Sequence, residues 1–185
     1  MNKLIAATSI KVMAGLCVTF LGLSACSQLS KNTNTTSSTS KVTETYYLNG
    51  KLSGKFYEVD GKLQGVATGY YPTGQIQFEA SYTRGVMNGF ARSYYLNGNL
   101  KYEAITVQGH KNGVEKHYFE TGVLESEEVF MNGVANGYAK FYDESAHLIF
   151  ECFMKNGEIN GISKKYNTNG QFIESIEYLN GKPVK

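Results

Sequence analysis

The 185 residues suffice for one domain, and 20 glycines and 14 tyrosines against 2 prolines and no tryptophan are typical of a turn-rich β protein. The net charge of +2 comes from the first 25 residues, which hold Lys3 and Lys11 and no acid. Beyond them 16 basic and 16 acidic residues balance, so the composition gives no electrostatic reason to expect nucleic acid or anionic lipid as the main ligand.

The N-terminus has a basic start, an apolar run over residues 12–23 and small residues after it, which predicts a secretory signal peptide over residues 1–25. The run is short for a membrane-spanning helix. Its end, Leu23-Ser24-Ala25-Cys26, resembles the lipobox of bacterial lipoproteins. The resemblance implies cleavage before Cys26 and acylation of its thiol and its new amino group, which would anchor the protein to a membrane. The alternative is an ordinary signal peptide followed by an incidental cysteine.

Residues 26–43 follow as the lipidated cysteine and a segment rich in Ser, Thr and Asn, which predicts a disordered tether. The residues that follow the cysteine are Ser27 and Gln28, so this sequence lacks the Asp that resembles an inner-membrane retention signal. We therefore expect a lipid-anchored protein of the bacterial envelope, at the outer membrane if the source has two membranes. A source with a single membrane would place it on the outer surface of that membrane.

The predicted repeat domain, residues 44–185, follows a unit of 24 residues that is seen clearly in residues 89–112. Its six copies begin at residue 41 and contain no insertion. Such a period is typical of an array in which each repeat packs only on its neighbours. The tenth and twenty-first positions of the unit are Gly, apart from Ala146, and the twelfth position is apolar. The sixth position is always tyrosine: Tyr46, Tyr70, Tyr94, Tyr118, Tyr142 and Tyr166. We predict that these tyrosines form a structural packing ladder whose hydroxyls find polar partners or water.

Each unit reads as strand, tight turn, strand, turn. Asn-Gly pairs at the turns, such as Asn97-Gly98 and Asn132-Gly133, are strong hairpin signals because turn positions there require a positive φ. The predicted fold is all-β, an elongated and twisted antiparallel meander of about six 24-residue β-hairpin repeats. At ~4.8 Å per strand, eleven or twelve strands give a sheet roughly 55 Å long.

Two registers of the hairpin compete. A three-residue loop with Gly in the left-handed region sets Tyr94 opposite Leu100 and puts one apolar set on a shared face: Phe90, Tyr94, Leu100, Ala104 and Thr106. A two-residue loop splits that set but places three cations opposite three acids: Arg92, Lys116 and Lys140 opposite Glu103, Glu127 and Glu151. The apolar pattern favours the first register, in which the glutamates form a row on a solvated face.

One turn departs from the repeat. Residues 143–147 replace the usual Asn-Gly turn with Asp-Glu-Ser-Ala-His. This predicts a locally different loop and marks it as a place where a partner could bind, although the sequence favours drift of a single repeat as the explanation.

The residues point away from catalysis and metal binding. His110, His117 and His147 lie at different repeat positions without metal-ligand spacing, and no phosphate-binding glycine loop is present. Glu103, Glu127 and Glu151 recur by repeat rather than as one unique pair. Beyond the signal and Cys26, Cys152 is the one cysteine, at a position that holds Ala80 and Ala104 elsewhere, which predicts a buried structural residue. We expect no enzyme, no cofactor and no metal.

The pattern YY-x-NG-x-L, a strand and then NG-x-x-NG resembles the bacterial variant of MORN repeats and covers residues 46–185. That family forms β-hairpin arrays without a shared enzymatic activity. Its bacterial members are often labelled antitoxin-like, and its eukaryotic relatives act in membrane association and protein scaffolding. This sequence differs from the eukaryotic repeat in its 24-residue unit and its lack of Trp and of basic surface.

Three functions follow as hypotheses. The first is a membrane-anchored, non-enzymatic repeat scaffold that binds another protein on the bacterial envelope, with no nucleic-acid ligand. The second, which rests on the family label, is an antitoxin-like or immunity-like protein that neutralises a toxin. The third is a cell-wall glycan-binding module that uses tyrosines outside the ladder, such as Tyr71 and Tyr95.

Overall fold

The computed structural model describes residues 39–184. Within that range the chain is all-β and forms one open sheet of 16 strands, each paired antiparallel to its neighbours. The predicted fold class, a meander of β-hairpins, is confirmed. No helix among the described residues is long and apolar enough to cross a membrane.

The strands are β1 (Ser40–Tyr46), β2 (Leu52–Val59), β3 (Lys62–Leu63), β4 (Gly65–Tyr70), β5 (Ile76–Thr83), β6 (Val86–Tyr94), β7 (Leu100–Val107), β8 (His110–Lys111), β9 (Gly113–Tyr118), β10 (Leu124–Met131), β11 (Val134–Tyr142), β12 (Leu148–Lys155), β13 (Glu158–Ile159), β14 (Gly161–Tyr166), β15 (Phe172–Leu179) and β16 (Lys182–Pro183). The long strands follow one another across the sheet in chain order, and the two-residue strands β3, β8 and β13 pair with the strand that precedes them. Consecutive pairing of this kind is what short hairpin loops allow.

Two kinds of turn alternate along the chain. In the first, Tyr95 N–H donates to Asn99 O at 2.8 Å, which leaves a three-residue loop with Gly98 at φ +89°. In the second, Asn132 and Gly133 both have positive φ and connect Met131 directly to Val134, as in the two-residue hairpin turns that asparagine and glycine favour. The sequence predicted both turns through its Asn-Gly pairs.

The register contains both of the alternatives that the sequence allowed. Tyr94 pairs with Leu100, as the three-residue loop requires, but Arg92 pairs with Glu103. The two pairings are compatible because Lys101 forms a β-bulge, one extra residue that shifts the register by one. The same shift recurs in the other hairpins.

The bulge corrects the predicted apolar face. Tyr94 and Phe90 share one side of the sheet with Arg92 and Glu103, which we call the outer face, whereas Ala104 and Thr106 lie on the opposite, inner face. The predicted set of five residues is therefore divided between the two faces, because an insertion of one residue moves every following side chain to the other side.

The first strand begins earlier than the predicted end of the tether. Ser40 pairs with Val59 and Thr43 pairs with Phe56, so residues 40–43 belong to the sheet. Thr43 also donates a hydrogen bond to Glu58 at 3.1 Å. Polar Ser and Thr side chains at these positions indicated a tether, but an edge strand accepts them because one of its faces is solvated.

Candidate interaction site

The six ladder tyrosines lie on the outer face. In four repeats the hydroxyl donates a hydrogen bond to a glutamate of the preceding repeat, over 2.8 to 3.2 Å: Tyr94 to Glu79, Tyr118 to Glu103, Tyr142 to Glu127 and Tyr166 to Glu151. Tyr46 donates instead to Glu44 of its own strand. For Tyr70 the preceding repeat has Lys55 at the position that holds glutamate in the other four pairs. The glutamate row thus supplies the polar partners that buried tyrosine hydroxyls require.

The pKa of these phenols reflects their surroundings. Burial, the hydrogen bond to Glu103 and the charge of that carboxylate raise the pKa of Tyr118 to about 12. A phenol that donates to a carboxylate holds its proton more firmly than a free one. Tyr118 is therefore a neutral hydrogen-bond donor at physiological pH.

The same glutamates alternate with cations across the outer face. We call this line of cross-strand partners the charge row: Glu79, Arg92, Glu103, Lys116, Glu127, Lys140, Glu151 and Lys164. Its ion pairs include Lys164–Glu151 at 2.9 Å and Lys140–Glu127 at 3.6 Å. Since these side chains are partly exposed, each pair contributes at most about 1 kcal/mol to stability.

A line of exposed apolar side chains runs beside the charge row, two residues away along each strand. We call it the apolar stripe: Val66, Ile105, Val114, Tyr138 and Ile162, with exposed fractions between 44% and 65%. Cross-strand pairs such as Tyr138–Phe153 and Val114–Val129 make it continuous. The stripe is a hydrophobic surface that nothing in the described part of the chain covers.

The two tyrosines predicted to contact a glycan, Tyr71 and Tyr95, form hydrogen bonds within the fold. The Tyr71 hydroxyl donates to the carbonyl oxygen of Tyr94 at 2.8 Å, and the Tyr95 hydroxyl donates to that of Tyr118 at 2.7 Å. Each bond ties one repeat to the next. The hydroxyls of Tyr71 and Tyr95 therefore already have a structural role.

The inner face is centred on a row of small side chains. Ala67, Ala80, Ala104 and Ala139 are between 1% and 5% exposed, and Cys152 continues the row at 3%. In a sheet of one layer such a row is buried only where larger side chains on both sides close over it, and Phe78, Tyr102 and Phe130 flank it here. The core of the protein is this alanine row.

Cys152 lies in the row as predicted for a small buried residue. Burial and the nearby charges of Glu128 and Glu151 raise the pKa of its thiol to about 12. Because the reactive form of cysteine is the thiolate, this thiol is inert at physiological pH.

The fourth repeat interrupts the alanine row with two acids. Glu115 occupies a position that holds alanine in three of the five other repeats, Glu128 occupies one that holds Ala80 and Ala104 in two, and the two acids are direct cross-strand partners. We call the group around them the polar cluster: Tyr102, Lys111, Glu115, His117, Ser126 and Glu128. Two carboxylates facing each other across a sheet are unfavourable unless cations or protons offset the repulsion.

Glu115 is satisfied within the polar cluster. It is 5% exposed, accepts a hydrogen bond from Tyr102 at 2.9 Å, and lies 2.8 Å from Lys111 Nζ and 3.3 Å from His117 Nε2. Burial by itself would raise the pKa of the Glu115 carboxyl, but the hydrogen bonds from His117, Lys111 and Tyr102 and the Lys111 charge outweigh it, and the pKa is lowered. Glu115 is thus a buried carboxylate with three partners.

Glu128 differs from Glu115 in its hydrogen bonds and in the direction of its pKa shift. It accepts no hydrogen bond from the residues within 39–184, and burial together with the charge of Glu115 outweighs the nearby Lys111 and His117 and raises the pKa of its carboxyl. Two residues along the same strand, Ser126 is fully buried, and its hydroxyl has no hydrogen-bond partner among the described residues. The polar cluster therefore contains an unpaired, half-buried acid next to an unsatisfied hydroxyl.

The turn at residues 143–147 does not differ from the other turns in backbone, so that prediction is wrong. Asp143 N–H donates to His147 O and Ala146 N–H donates to Asp143 O, as at the corresponding positions of the other repeats. Ala146 takes the glycine position at φ +64°. Asp143 Oδ1 accepts from the backbone N–H groups of Ser145 and His147, just as Asn167 does in the next repeat. The polar side chains of this turn stabilise its own backbone.

The remaining site predictions concern the lipidation site and the histidines. Cys26, the predicted lipidation site, lies outside the described residues, as do the predicted signal peptide and most of the tether. His110, His117 and His147 stay in separate repeats, and among residues 39–184 no group of three or more His, Cys, Asp or Glu side chains could hold a metal ion.

Sequence reasoning missed the polar cluster, although the signal was present. The third position of the repeat reads Ala67, Ala91 and Ala139 but Glu115, and the sixteenth reads Ala80 and Ala104 but Glu128. Glu115 and Glu128 replace apolar residues, which makes them the more informative departures from the repeat. The departure at residues 143–147 replaces polar residues in a solvated turn. Only the register places the two glutamates opposite each other.

The family model described as MORN repeat variant matches residues 60–83, 87–107 and 111–132. No curated protein matches the sequence. One solved structure that matches in part is the crystal structure of TarM, with a TM-score of 0.35 and 9% sequence identity, over 57% of this chain and 22% of TarM.

Proposed function

We propose that this chain, which carries MORN-variant repeats, is a membrane-anchored, non-enzymatic repeat scaffold that binds another protein on the bacterial envelope. The observation that carries the proposal is Glu128, an acid that the fold half-buries without a partner. A half-buried acid that faces another acid is costly where nearby Lys111 and His117 offset only part of the repulsion, and the fold retains it on the inner face. A cationic side chain from another protein would offset that cost.

The polar cluster is unique within the array, and this supports recognition of one specific partner. The tyrosine ladder and the charge row recur in successive repeats, so they serve every repeat equally. Glu115, His117, Ser126 and Glu128 occur together in the fourth repeat alone. The partner would place a Lys or Arg side chain beside Glu128, where a charge-assisted hydrogen bond is strong because the surroundings are partly desolvated.

The test is a crosslinking pull-down of the full-length chain from its native cells. The unchanged chain should capture one envelope protein, and Glu128→Gln should lose it, because the amide keeps the shape and removes the charge. Glu120→Gln is the matched control, since Glu120 lies exposed at a turn. Equal capture by the unchanged chain and Glu128→Gln would refute the role of this acid, and a specific toxin in the eluate would favour the antitoxin-like alternative.

The anchoring part of the proposal rests on Leu23-Ser24-Ala25-Cys26 and the polar segment after it. Acyl chains on Cys26 would hold the protein at the membrane, while the segment before Ser40 would let the sheet reach its partner. Metabolic labelling with a fatty-acid analogue should tag the unchanged chain, and Cys26→Ser should lose the label and leave the membrane fraction. A membrane-bound, unlabelled chain would contradict lipidation, and separation of inner from outer membranes tests the predicted address.

A further inference from the structure

The charge row has a property that a solvated surface does not need. It has eight members that alternate in sign from Glu79 at one end to Lys164 at the other, and each neighbouring pair is a cross-strand pair. The row begins with an acid at one end and finishes with a base at the other. When the row of a second copy faces it in the reverse order, every acid therefore lies opposite a base.

We propose that the outer face binds the outer face of a second copy of this chain, as a two-fold symmetric dimer. With the two-fold axis parallel to the strands and passing between Lys116 and Glu127, each row of one copy meets the same row of the other in reverse order. The charge row then pairs across the interface as Lys116–Glu127, Glu103–Lys140, Arg92–Glu151 and Glu79–Lys164. Symmetric, isologous contact is the commonest form of protein association.

The apolar stripe supports the same arrangement. Because this axis keeps each row level with its counterpart, the stripe meets the stripe of the second copy. Side chains that are 44% to 65% exposed in the single chain, such as Tyr138 and Ile162, would be covered. Apolar contact supplies the free energy of association, while the charge row selects the register because any like-charge overlap is costly.

The size of the face is sufficient. The nine long strands from β4 to β14 span about 38 Å, and the five residues that carry the stripe, the charge row and the ladder span about 17 Å of each strand. The footprint is roughly 650 Å² per copy, or about 1,300 Å² in all, within the range of specific interfaces.

Charge reversal at the axis tests the proposal. The two-fold axis creates two equivalent contacts between position 116 of one copy and position 127 of the other. Lys116→Glu makes both contacts acid against acid, and Glu127→Lys makes both cation against cation. Each variant alone should therefore dimerise at least ~10-fold more weakly. A mixture of the two variants restores opposite charges at both contacts. In sedimentation velocity of the full-length chain, the unchanged protein and the mixture should be dimeric and each single variant monomeric.

Lys165→Glu is the matched control, because it reverses a cation on the inner face. It should leave the dimer intact, and circular dichroism should show that all variants keep the sheet. An unchanged chain that sediments as a monomer at high concentration, single variants that dimerise as well as the unchanged chain, or a mixture that stays monomeric would each overturn the proposal. The proposed partner site is on the other face, so loss of the dimer leaves it testable.

Discussion

The Tyr118 hydroxyl donates a hydrogen bond to Oε1 of Glu103 at 2.9 Å, across the boundary between two successive repeats. The bond links a recurring tyrosine to a recurring acid, and equivalent bonds lie at three other repeat boundaries. In an array where each unit contacts only its neighbours, such boundary contacts determine how cooperatively the units fold.

Tyr118→Phe should lower the free energy of unfolding by about 1–2 kcal/mol, because it removes a hydrogen bond to a charged acceptor that is partly buried. Urea denaturation of the full-length chain measures the change. Tyr138→Phe is the control, since Tyr138 is 65% exposed and its hydroxyl donates to no described residue. Equal stability of the two variants would show that the boundary bond contributes nothing.

Ala146→Gly should raise the free energy of unfolding by about 0.5–1 kcal/mol. Ala146 is held at φ +64°, where a Cβ is unfavourable, and glycine removes that cost at the expense of a more flexible unfolded chain. The reverse change, Gly98→Ala, should destabilise by a similar amount, because Gly98 has φ +89°, which is unfavourable for a residue with a Cβ. The added Cβ would touch nothing within 4 Å, so the cost is that of the backbone conformation alone. Thermal unfolding of both variants decides the matter, and a destabilised Ala146→Gly would contradict it.

Ser126→Ala should stabilise the protein by about 1 kcal/mol or more, since it removes a fully buried hydroxyl that has no partner in the described part of the chain. Ser163→Ala is a matched comparison and should destabilise, because the equally buried Ser163 hydroxyl donates to Ile176 O at 3.1 Å. The two variants should therefore shift the urea midpoint in opposite directions. Shifts of the same sign would argue against this account.

Glu128→Gln should stabilise the isolated protein at pH 7 by up to about 1 kcal/mol, because the amide carries no charge to face Glu115. The pKa of Glu128 is raised in the fold, so stability is fully present below the ordinary value of 4.5 and is lost as the pH rises through the folded pKa. The advantage of the variant should therefore shrink as the pH falls towards 4.5. Thermal unfolding at several pH values tests this, and an advantage independent of pH would contradict the electrostatic cause.

Glu115→Gln should have the opposite pH dependence. The pKa of Glu115 is lowered in the fold, so its contribution is present above the ordinary value of 4.5 and is lost as the pH falls below it. At pH 7 the variant should be less stable by about 1–2 kcal/mol, because it loses the charge that Lys111 and Tyr102 bind, partly offset by relief of the repulsion from Glu128. In acid the two proteins should converge, and a gap that widens there would refute the assignment.

The sequence by itself determined the repeat, the strand class and the turns. Tyr at the sixth position, Gly at the tenth and twenty-first and Asn-Gly at the turns are local signals, because a tight turn restricts φ at particular residues whatever the rest of the chain does. The three-residue loop and the pairing of Tyr94 with Leu100 followed from the same local rules.

Only the tertiary structure decided which face each side chain occupies. The bulge at Lys101 exchanges the faces beyond it, and one inserted residue is visible in pairing geometry but not in an alternating pattern. It places Ala104 in the core and Glu103 within hydrogen-bond distance of the Tyr118 hydroxyl, and the equivalent bulge at Glu125 sets Glu115 opposite Glu128. Their contact depends on register across the sheet, a property of neighbouring strands that no single strand encodes.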